Sequence, residues 1–438
     1  MPNELERILI SCSEADFDKK LGKFYSRIVA AARFADYGSE ENQQVVDILR
    51  DVAEHGDKAV AKYTKEFDGV KLKPGQFRIT KEELENAHAD INRDILASLC
   101  QAIDNVRAYQ QDILVSKGDV PRGIRYTPVR RVGVCVPGAS APLPSTVIMT
   151  AVPALVAGVK EVAVVSPPRH EGSIHPVILA ACCELGIDEV YRIGGAQAVA
   201  ALAIGTDTIG KVDKIVGPGN KWVQSAKKNV SGDYVGIDSI AGPSEVLIIA
   251  NEQANPAWIA ADMLSQAEHA ADSSAIVVTD SHQLAQEALA ELQKQVVELQ
   301  RAKDALQSLK KYSAIIVVED IASAIKMADE FAPEHLEIQC GSESREIAEK
   351  IGNAGAIFVG SYTPVAVGDY WAGPSHTLPT GTRAKFASAL TSNDFLKSIS
   401  IVEYDADMLA ASADDIIRLA EVERLDAHAK SVRIRQQG

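Results

Sequence analysis

The sequence is poor in the features that mark several protein classes. Its six cysteines, Cys12, Cys100, Cys135, Cys182, Cys183 and Cys340, include no C-x-x-C pair. A zinc ribbon or a disulfide scaffold is therefore not expected, and the thiols read as reduced and mostly buried, as in a cytoplasmic protein. Basic clusters are missing as well. The formal net charge is −15 over 438 residues, which argues against nucleic acid or an anionic membrane as partner. The longest apolar run, Thr146 to Val159, is too short for a bilayer and contains Pro153. The first residues, Met1 to Glu6, show no basic segment followed by an apolar core, so no secretory signal is expected. Finally, none of the glycine turns is G-x-G-x-x-G: Gly217-Pro218-Gly219 is followed three residues on by Trp222. The standard dinucleotide fingerprint is absent.

What the sequence does have is a β/α rhythm and enough apolar residues, 46%, for more than one core. Residues 1 to about 27 read as a small N-terminal element. Helical patterns follow at Glu41–Phe67 and Lys81–Leu114. From Arg130 short apolar runs alternate with helical segments. Strands are predicted at 131–136, 161–166, 189–193 and 212–216, and again at 245–250, 274–279, 314–318, 336–339 and 356–359. Such alternation argues for parallel sheets covered on both faces. The predicted fold is α/β, with two doubly wound, incomplete Rossmann-like domains. One comprises residues 28–130 and 244–388, the other 131–243, and 389–438 form a helical tail. Ligand sites are expected in a cleft or beyond strand ends.

The stretch Phe331-Ala332-Pro333-Glu334-His335-Leu336-Glu337-Ile338 draws attention first. Pro333 must end the helix before it, and the alternation of Leu336 and Ile338 reads as a strand start. Glu334 and His335 are then expected on an exposed edge between helix and strand, where side chains reach ligands. An imidazole beside a carboxylate is what the oxidation of an alcohol in water requires. A solvated turn would look the same. Four turns, Val136–Ser140, Ile193–Gln197, Val216–Asn220 and Ala241–Glu245, combine glycine with a following helix or strand. They can cradle an anion at a helix N-terminus or be plain turns. Gln266 and His269 share a helix face and could hold one ion or make a surface hydrogen bond. Asp369 and His376 share one loop. Glu423 and His428 lie about 140° apart around a helix and cannot share an ion there. None of these spacings is diagnostic of zinc. His55, His88, His170, His175 and His282 read as surface or structural.

Taken together, several motifs carry a resemblance. They are Val132-Gly133-Val134-x-Val136-Pro137-Gly138, Ser140-Ala141-Pro142-Leu143, Gly194-Gly195-Ala196-Gln197-Ala198, Gly217-Pro218-Gly219-Asn220, Ala241-Gly242-Pro243-Ser244-Glu245, Ser265-Gln266-Ala267-Glu268-His269, Pro333-Glu334-His335-Leu336, Gly368-Asp369-Tyr370 and Ser375-His376-x-Leu378-Pro379-Thr380. In order and spacing, from about residue 30 to His428, the chain resembles the histidinol dehydrogenase family. The resemblance implies oxidation of L-histidinol through L-histidinaldehyde to L-histidine, the last step of histidine biosynthesis, with two NAD and one Zn²⁺ per subunit. It also implies a homodimer in which the C-terminal segment completes the partner's site. Gln266, His269 and Asp369 match zinc ligands, and His428 matches a fourth, from the other subunit. Glu334 and His335 match the acid–base pair. Ser244, His376 and Glu423 match substrate contacts, and Gln197 and Asn220 match NAD contacts.

The chain departs from the family where Cys135 replaces a usual tyrosine that contacts NAD, and where Ala139 replaces a frequent glycine. A thiol cannot stack or donate a phenolic hydrogen bond. Two other readings use the same residues. One is a dehydrogenase of the same fold acting on another polar alcohol, such as a sulfonated diol. The other, from a different class, is a zinc hydrolase in which Glu334 activates water without a nucleotide.

Overall fold

The apolar runs become parallel strands, and the amphipathic segments between them become helices. The structure, a computed structural model, describes residues 2–32, 39–115, 123–138 and 141–436. Ala139 and Ser140 of the first glycine turn lie outside the described residues. The chain opens with β1 (Leu9–Ser11) and α1 (Phe17–Ala32), then α2 (Glu40–His55), α3 (Asp57–Asp68), α4 (Lys81–Asp90), α5 (Arg93–Asp112) and β2 (Ile124–Pro128). The next stretch runs β3 (Arg131–Cys135), α6 (Pro144–Val156), β4 (Glu161–Val165), α7 (Pro176–Glu184), β5 (Glu189–Tyr191), α8 (Gly195–Ile204), β6 (Lys214–Val216), α9 (Lys221–Val230) and β7 (Gly236–Ile237). The rhythm repeats as β8 (Glu245–Ala250), α10 (Pro256–Ala267), β9 (Ser274–Thr279), α11 (His282–Gln295), α12 (Ala302–Tyr312), β10 (Ala314–Val317), α13 (Ile321–Phe331), β11 (His335–Gln339), α14 (Ser344–Ala348), β12 (Ala356–Val359) and α15 (Val365–Tyr370). The chain closes with β13 (Leu396–Ser400), α16 (Ala406–Val422) and α17 (Asp426–Arg435).

Two sheets result, of order β1-β10-β9-β8-β11-β12 and β5-β4-β3-β6-β7. Every strand pair whose register is described in them is parallel. The two share one winding scheme. From a central strand, β8 or β3, the chain adds two strands on one side and then returns to the other, at β11 or β6. Each sheet is thus doubly wound, with its switch point between the central strand and the returning one.

Packing changes the assignment of the N-terminal third. The sequence-based division places residues 28–130, and so the helices between 40 and 112, with the first sheet. Their apolar faces instead join the second: Val45, Ile48, Val52, Val60 and Phe77 pack with Val199, Leu202 and Ile215. Likewise Leu99, Ile103 and Val106 of α5 pack with Ile148, Met149 and Val152 of α6. Residues 1–27 are not a separate element either. β1 pairs with β10, and Phe24 and Ile28 of α1 pack with Leu247 and Ile249 of β8. The two long helical patterns are each broken, at Gly56 and at the Ile91-Asn92 pair. Asn92 caps α5 by accepting from Asp94 N and Ile95 N, a start signal inside the run.

The chain divides into two compact units, Met1–Leu114 with Pro128–Phe395, and Val115–Thr127 with Leu396–Gly438. The tail therefore starts later than 389: Leu390 and Phe395 are buried, and Ser392 is bonded to Gln110 of α5. Nor is the tail purely helical, because β13 pairs with β2. Its helices pack through Ala413, Ile417 and Ala420 against Ala429 and Val432. Among the described residues no helix is long and apolar enough to cross a membrane.

Candidate functional site

The helix α13 stops at Phe331 because Pro333 follows. Ala332 takes a left-handed conformation (φ 47°, ψ 60°) as its cap. The chain turns there and enters β11 at His335. Glu334 and His335 were expected on an exposed edge, but the structure corrects this: they are only 7% and 4% exposed. The reason is position. β11 lies between β8 and β12, so its start is covered from both sides. Burial of an acid and an imidazole is costly unless each finds partners, and both do.

His335 Nδ1 lies 3.0 Å from the Glu245 carbonyl oxygen. A carbonyl only accepts, so Nδ1 carries the proton and Nε2 holds the lone pair. Nε2 is buried without a hydrogen-bond partner and lies 4.0 Å from Asp369 Oδ1. Burial lowers the His335 pKa, with Asp369 opposing. The ring is thereby kept neutral and basic at Nε2. Glu334 Oε2 accepts from Ser244 Oγ at 2.5 Å and from Glu245 N at 3.0 Å. Glu334 N in turn donates to Glu245 Oε1 at 3.2 Å, and so does Gly381 N at 2.9 Å. Burial pushes Glu334 up to about 7, against the lowering effect of the Ser244 hydroxyl. Glu245 is likewise raised to about 7, by burial and by Glu334. Sequence reasoning assigns Glu245 no role. Its reciprocal hydrogen bonds with Glu334 hold that residue in place.

Asp369 arrives from α15. Gly368 makes this possible, since a Cβ there would strike the Phe358 ring. With glycine, α15 lies against β12 and sets Asp369 beside His335 and also 3.8 Å from His376 Nδ1. The loop after α15 is tied to the helices of the second sheet. Asn105 of α5 donates to Trp371 O, and Ser375 Oγ donates to Met149 O of α6. Burial lowers the His376 pKa.

Gln266 and His269 come from the end of α10. Pro256 and the Asn255 cap start this helix, and Ile259, Ala260, Met263 and Ala267 bury one face. Gln266 sits at that buried face, 1% exposed, with both amide atoms unpartnered. His269 lies just past the helix, and its Nδ1–H donates to Ser265 O at 2.9 Å, leaving Nε2 free. That is the arrangement in which a histidine binds a metal. An orphaned amide and a free imidazole nitrogen fit Zn²⁺ as ligands. Among the described residues no three His, Cys, Asp or Glu converge to hold an ion by themselves. The expected set does not require it, because it uses one amide and one histidine from another chain. Glu423 caps the end of α16 and His428 lies on α17, both exposed in the second unit.

A cavity of about 770 Å³ opens elsewhere in the first unit, lined by Cys135, Gly138, Gly194, Gln197, Asn220 and Trp222 among others. It sits at the carboxyl ends of β3 and β6, the switch point of the second sheet, where dinucleotides bind in such folds. Gly217 opens the turn that carries the lining residues Pro218, Gly219 and Asn220. Its φ is 105°, and a Cβ there would strike the Cys135 carbonyl. The buried Lys227–Asp238 pair fixes this turn: Lys227 Nζ donates to Gly217 O, and Gly217 N donates to Asp238 Oδ2. Gln197 is fully buried with both amide atoms unpartnered. Asn220 uses its oxygen to cap α9, accepting from Trp222 N and Val223 N, so only its Nδ2 remains for a ligand. Cys135 is buried and pushed up to about 12 by burial, which makes it an inert wall rather than a nucleophile.

A cavity at the switch point of one parallel sheet and a buried imidazole–carboxylate cluster on another fit an oxidoreductase of the α/β class. Comparison with known proteins gives the particular family. The family model described as histidinol dehydrogenase matches residues 32–436. The histidinol dehydrogenase of Rhodopirellula baltica is 47% identical over 89% of this chain and 86% of its own length. That of Bacillus subtilis is 45% identical over 92% and 95%. The crystal structure of histidinol dehydrogenase from Elizabethkingia anophelis superposes with a TM-score of 0.88 at 34% identity, covering 95% of this chain and 96% of that one. The chain belongs to the histidinol dehydrogenase family.

Proposed function

We propose that the chain carries out the four-electron oxidation of L-histidinol to L-histidine, through L-histidinaldehyde, as the last step of histidine biosynthesis. Family membership supports the reaction. The observation that carries the role assignment is a buried His335 whose Nε2 has no hydrogen-bond partner and whose Nδ1 lies 3.6 Å from Glu334 Oε2. Gln266, His269 and Asp369 would hold Zn²⁺, with His428 from a second copy of the chain. Gln197 and Asn220 would contact NAD. When bound, the metal would orient the substrate's nitrogens and the nucleotide would accept hydride in each of two oxidations.

The chain's own residues supply the proton chemistry. His335 Nε2 takes the hydroxyl proton in the first oxidation, and its Nδ1–H remains on the Glu245 carbonyl throughout. Glu334 then removes a proton from water as that water adds to the aldehyde. His335, once it has released the first proton to solvent, serves again as base for the hydrate. Ser244, His376 and Glu423 would contact the substrate. Each base supplies about 10²–10⁴ in rate.

We further assign a homodimer with exchanged tails. Its support is the apolar surface of the second unit, where Leu419, Val422 and Ile434 are 68%, 77% and 60% exposed. Such residues call for a covering partner. Mixing His335→Asn and His428→Ala chains tests the exchange. Restored activity in mixed dimers requires it, and no restoration excludes it. The reaction is tested by the NADH yield per L-histidinol, with zinc and after chelation. Two NADH, lost on chelation and regained with zinc, is the expected result. One NADH would mean that the aldehyde leaves and that Glu334 has another role. No NADH would move the weight to another alcohol.

A further inference from the structure

β11 carries polar residues at every second position, His335, Glu337 and Gln339, so all three point to one face of the sheet. All are buried, and that face lies beneath α10, whose Ile259, Met263 and Leu264 pack with Val246, Ile248 and Phe358 of the neighbouring strands. His335 has its role above. Glu337 has none, yet it is 1% exposed and makes contacts in two directions. Its Oε1 accepts from Val365 N at 3.0 Å. Val365 is the first residue of α15, and Asp369 lies one helical turn further on. Its Oε2 accepts from Gln339 Nε2 at 3.1 Å, which also donates to Asp262 Oδ2 at 2.7 Å. Asp262 lies on α10, and Gln266 lies one turn further on. Each helix is thus gripped about 5.4 Å, one turn, before its own candidate ligand.

We infer that Glu337, with Asp262 and Gln339, is the positioning residue that sets Gln266 and Asp369 at the spacing a metal ion requires. The inference rests on the zinc reading above. On the α10 side of the sheet Glu337 and the Gln339 amide bonded to it tie β11 to both α10 and α15. Gln339 Nε2 bonds both carboxylates, so Glu337 and Asp262 lie side by side. Two carboxylates that close in an apolar interior share a proton, and burial pushes Glu337 up to about 9. The neutral acid is therefore the working form. It accepts from Val365 and Gln339 and donates to Asp262.

A glutamine is close in shape to that neutral acid. It keeps the acceptor for Val365 N and a donor for Asp262, and loses only the acceptor for Gln339. An alanine loses all of them. The test is the zinc dissociation constant of the full-length dimer, measured by chelator competition, for the parent, Glu337→Ala, Glu337→Gln and Val365→Pro. Proline is tolerated in the first turn of a helix, so Val365→Pro removes the N–H that Glu337 accepts while leaving the helix start in place. Partners of metal ligands typically carry about 10–100-fold in affinity. The expected result is a loss of that size in Glu337→Ala, a loss of about threefold or less in Glu337→Gln, and an intermediate loss in Val365→Pro.

A purely structural role would lower the melting temperature without changing the zinc affinity of the folded protein. Folded Glu337→Ala with parental affinity therefore overturns the inference. So does Glu337→Gln falling as far as the alanine variant. If Glu337→Ala does not fold, Val365→Pro decides alone, and parental affinity there overturns it. A parent chain that binds no zinc overturns the metal reading itself, an outcome distinct from all of these.

Discussion

The two sheets of the first unit are wound alike but use opposite ends. In the second sheet the cavity lies at the carboxyl ends of β3 and β6 and is lined by the turns that follow them. In the first sheet the candidate acid–base groups lie at the amino ends of β8 and β11, where Ser244, Glu245, Glu334 and His335 meet. The turn at the carboxyl end of β8 reads Asn251-Glu252-Gln253-Ala254. It has a carboxylate and no glycine, and so is unsuited to a phosphate. The usual rule for open α/β sheets, ligands beyond the carboxyl ends at the switch point, describes the cavity but not the acid–base cluster. The difference in materials follows. A cradle at strand carboxyl ends is built from backbone and glycine. A site at strand amino ends is built from side chains, each needing a buried partner. The first should tolerate side-chain changes, and the second should not.

The largest expected effect is at the second kind of site. His335→Asn keeps a donor toward the Glu245 carbonyl but removes the basic Nε2. Both oxidations should fall by about 10²–10⁴, read as NADH formation from histidinol and, separately, from histidinaldehyde. A loss in only one of them would end the single-base assignment. Glu334→Gln comes next. It keeps an acceptor for Ser244 and Glu245 N, so the local fold should hold. Aldehyde oxidation should fall by about 10² or more, while the first oxidation changes little. A trapping reagent should then collect the aldehyde. An unaffected aldehyde step would refute the water-activating role.

At the first kind of site, Gly217→Ala and Cys135→Ala make the contrast direct. The alanine at 217 would need a positive φ and would meet the Cys135 carbonyl. Strain of about 1–2 kcal/mol corresponds to a loss of about tenfold in nucleotide affinity, measured by calorimetry. Cys135→Ala removes a side chain but no backbone contact, and should change affinity by about threefold or less. If the cysteine mattered more than the glycine, the backbone view of this cavity would be wrong.

These contrasts also explain what was legible in the sequence. The β/α rhythm was legible because buried parallel strands are continuous apolar runs, as in Val162–Val165 or Ile276–Val278. Helix α12 was not, because Lys303, Lys310 and Lys311 surround a narrow face of Ala305, Ser308 and Leu309. Which sheet α2 to α5 would cover was not legible either, since an apolar face on a helix carries no address. In the candidate site, the alternation at His335–Gln339 was visible. It marks a strand start, with Glu334 and His335 expected on an exposed edge beside it. Here the alternating polar residues face α10 and bond to Glu245, Val365 and Asp262, partners distant in the chain. The same distance hid Glu245, whose function depends on where Glu334 N arrives.

The smallest expected effect sharpens the comparison by tuning a side chain rather than deleting one. Glu334 must be ionised to accept a proton from water. Burial raises its pKa to about 7, and the largest opposing influence is the Ser244 hydroxyl. Ser244→Ala removes that hydrogen bond to the carboxylate, so the pKa moves further up and less of the base is present at a given pH. The rate of aldehyde oxidation should rise with pH through about 7 in the parent, and the rising limb should move to higher pH in the variant, by about one unit or less. The variant should be several-fold slower near pH 6 and approach the parent near pH 9. Measuring kcat with histidinaldehyde across that range checks it. A limb that stays in place would show that Ser244 holds the substrate without tuning Glu334. A limb that moves down would mean that the hydroxyl favours the protonated acid, the reverse of the hydrogen bond drawn here.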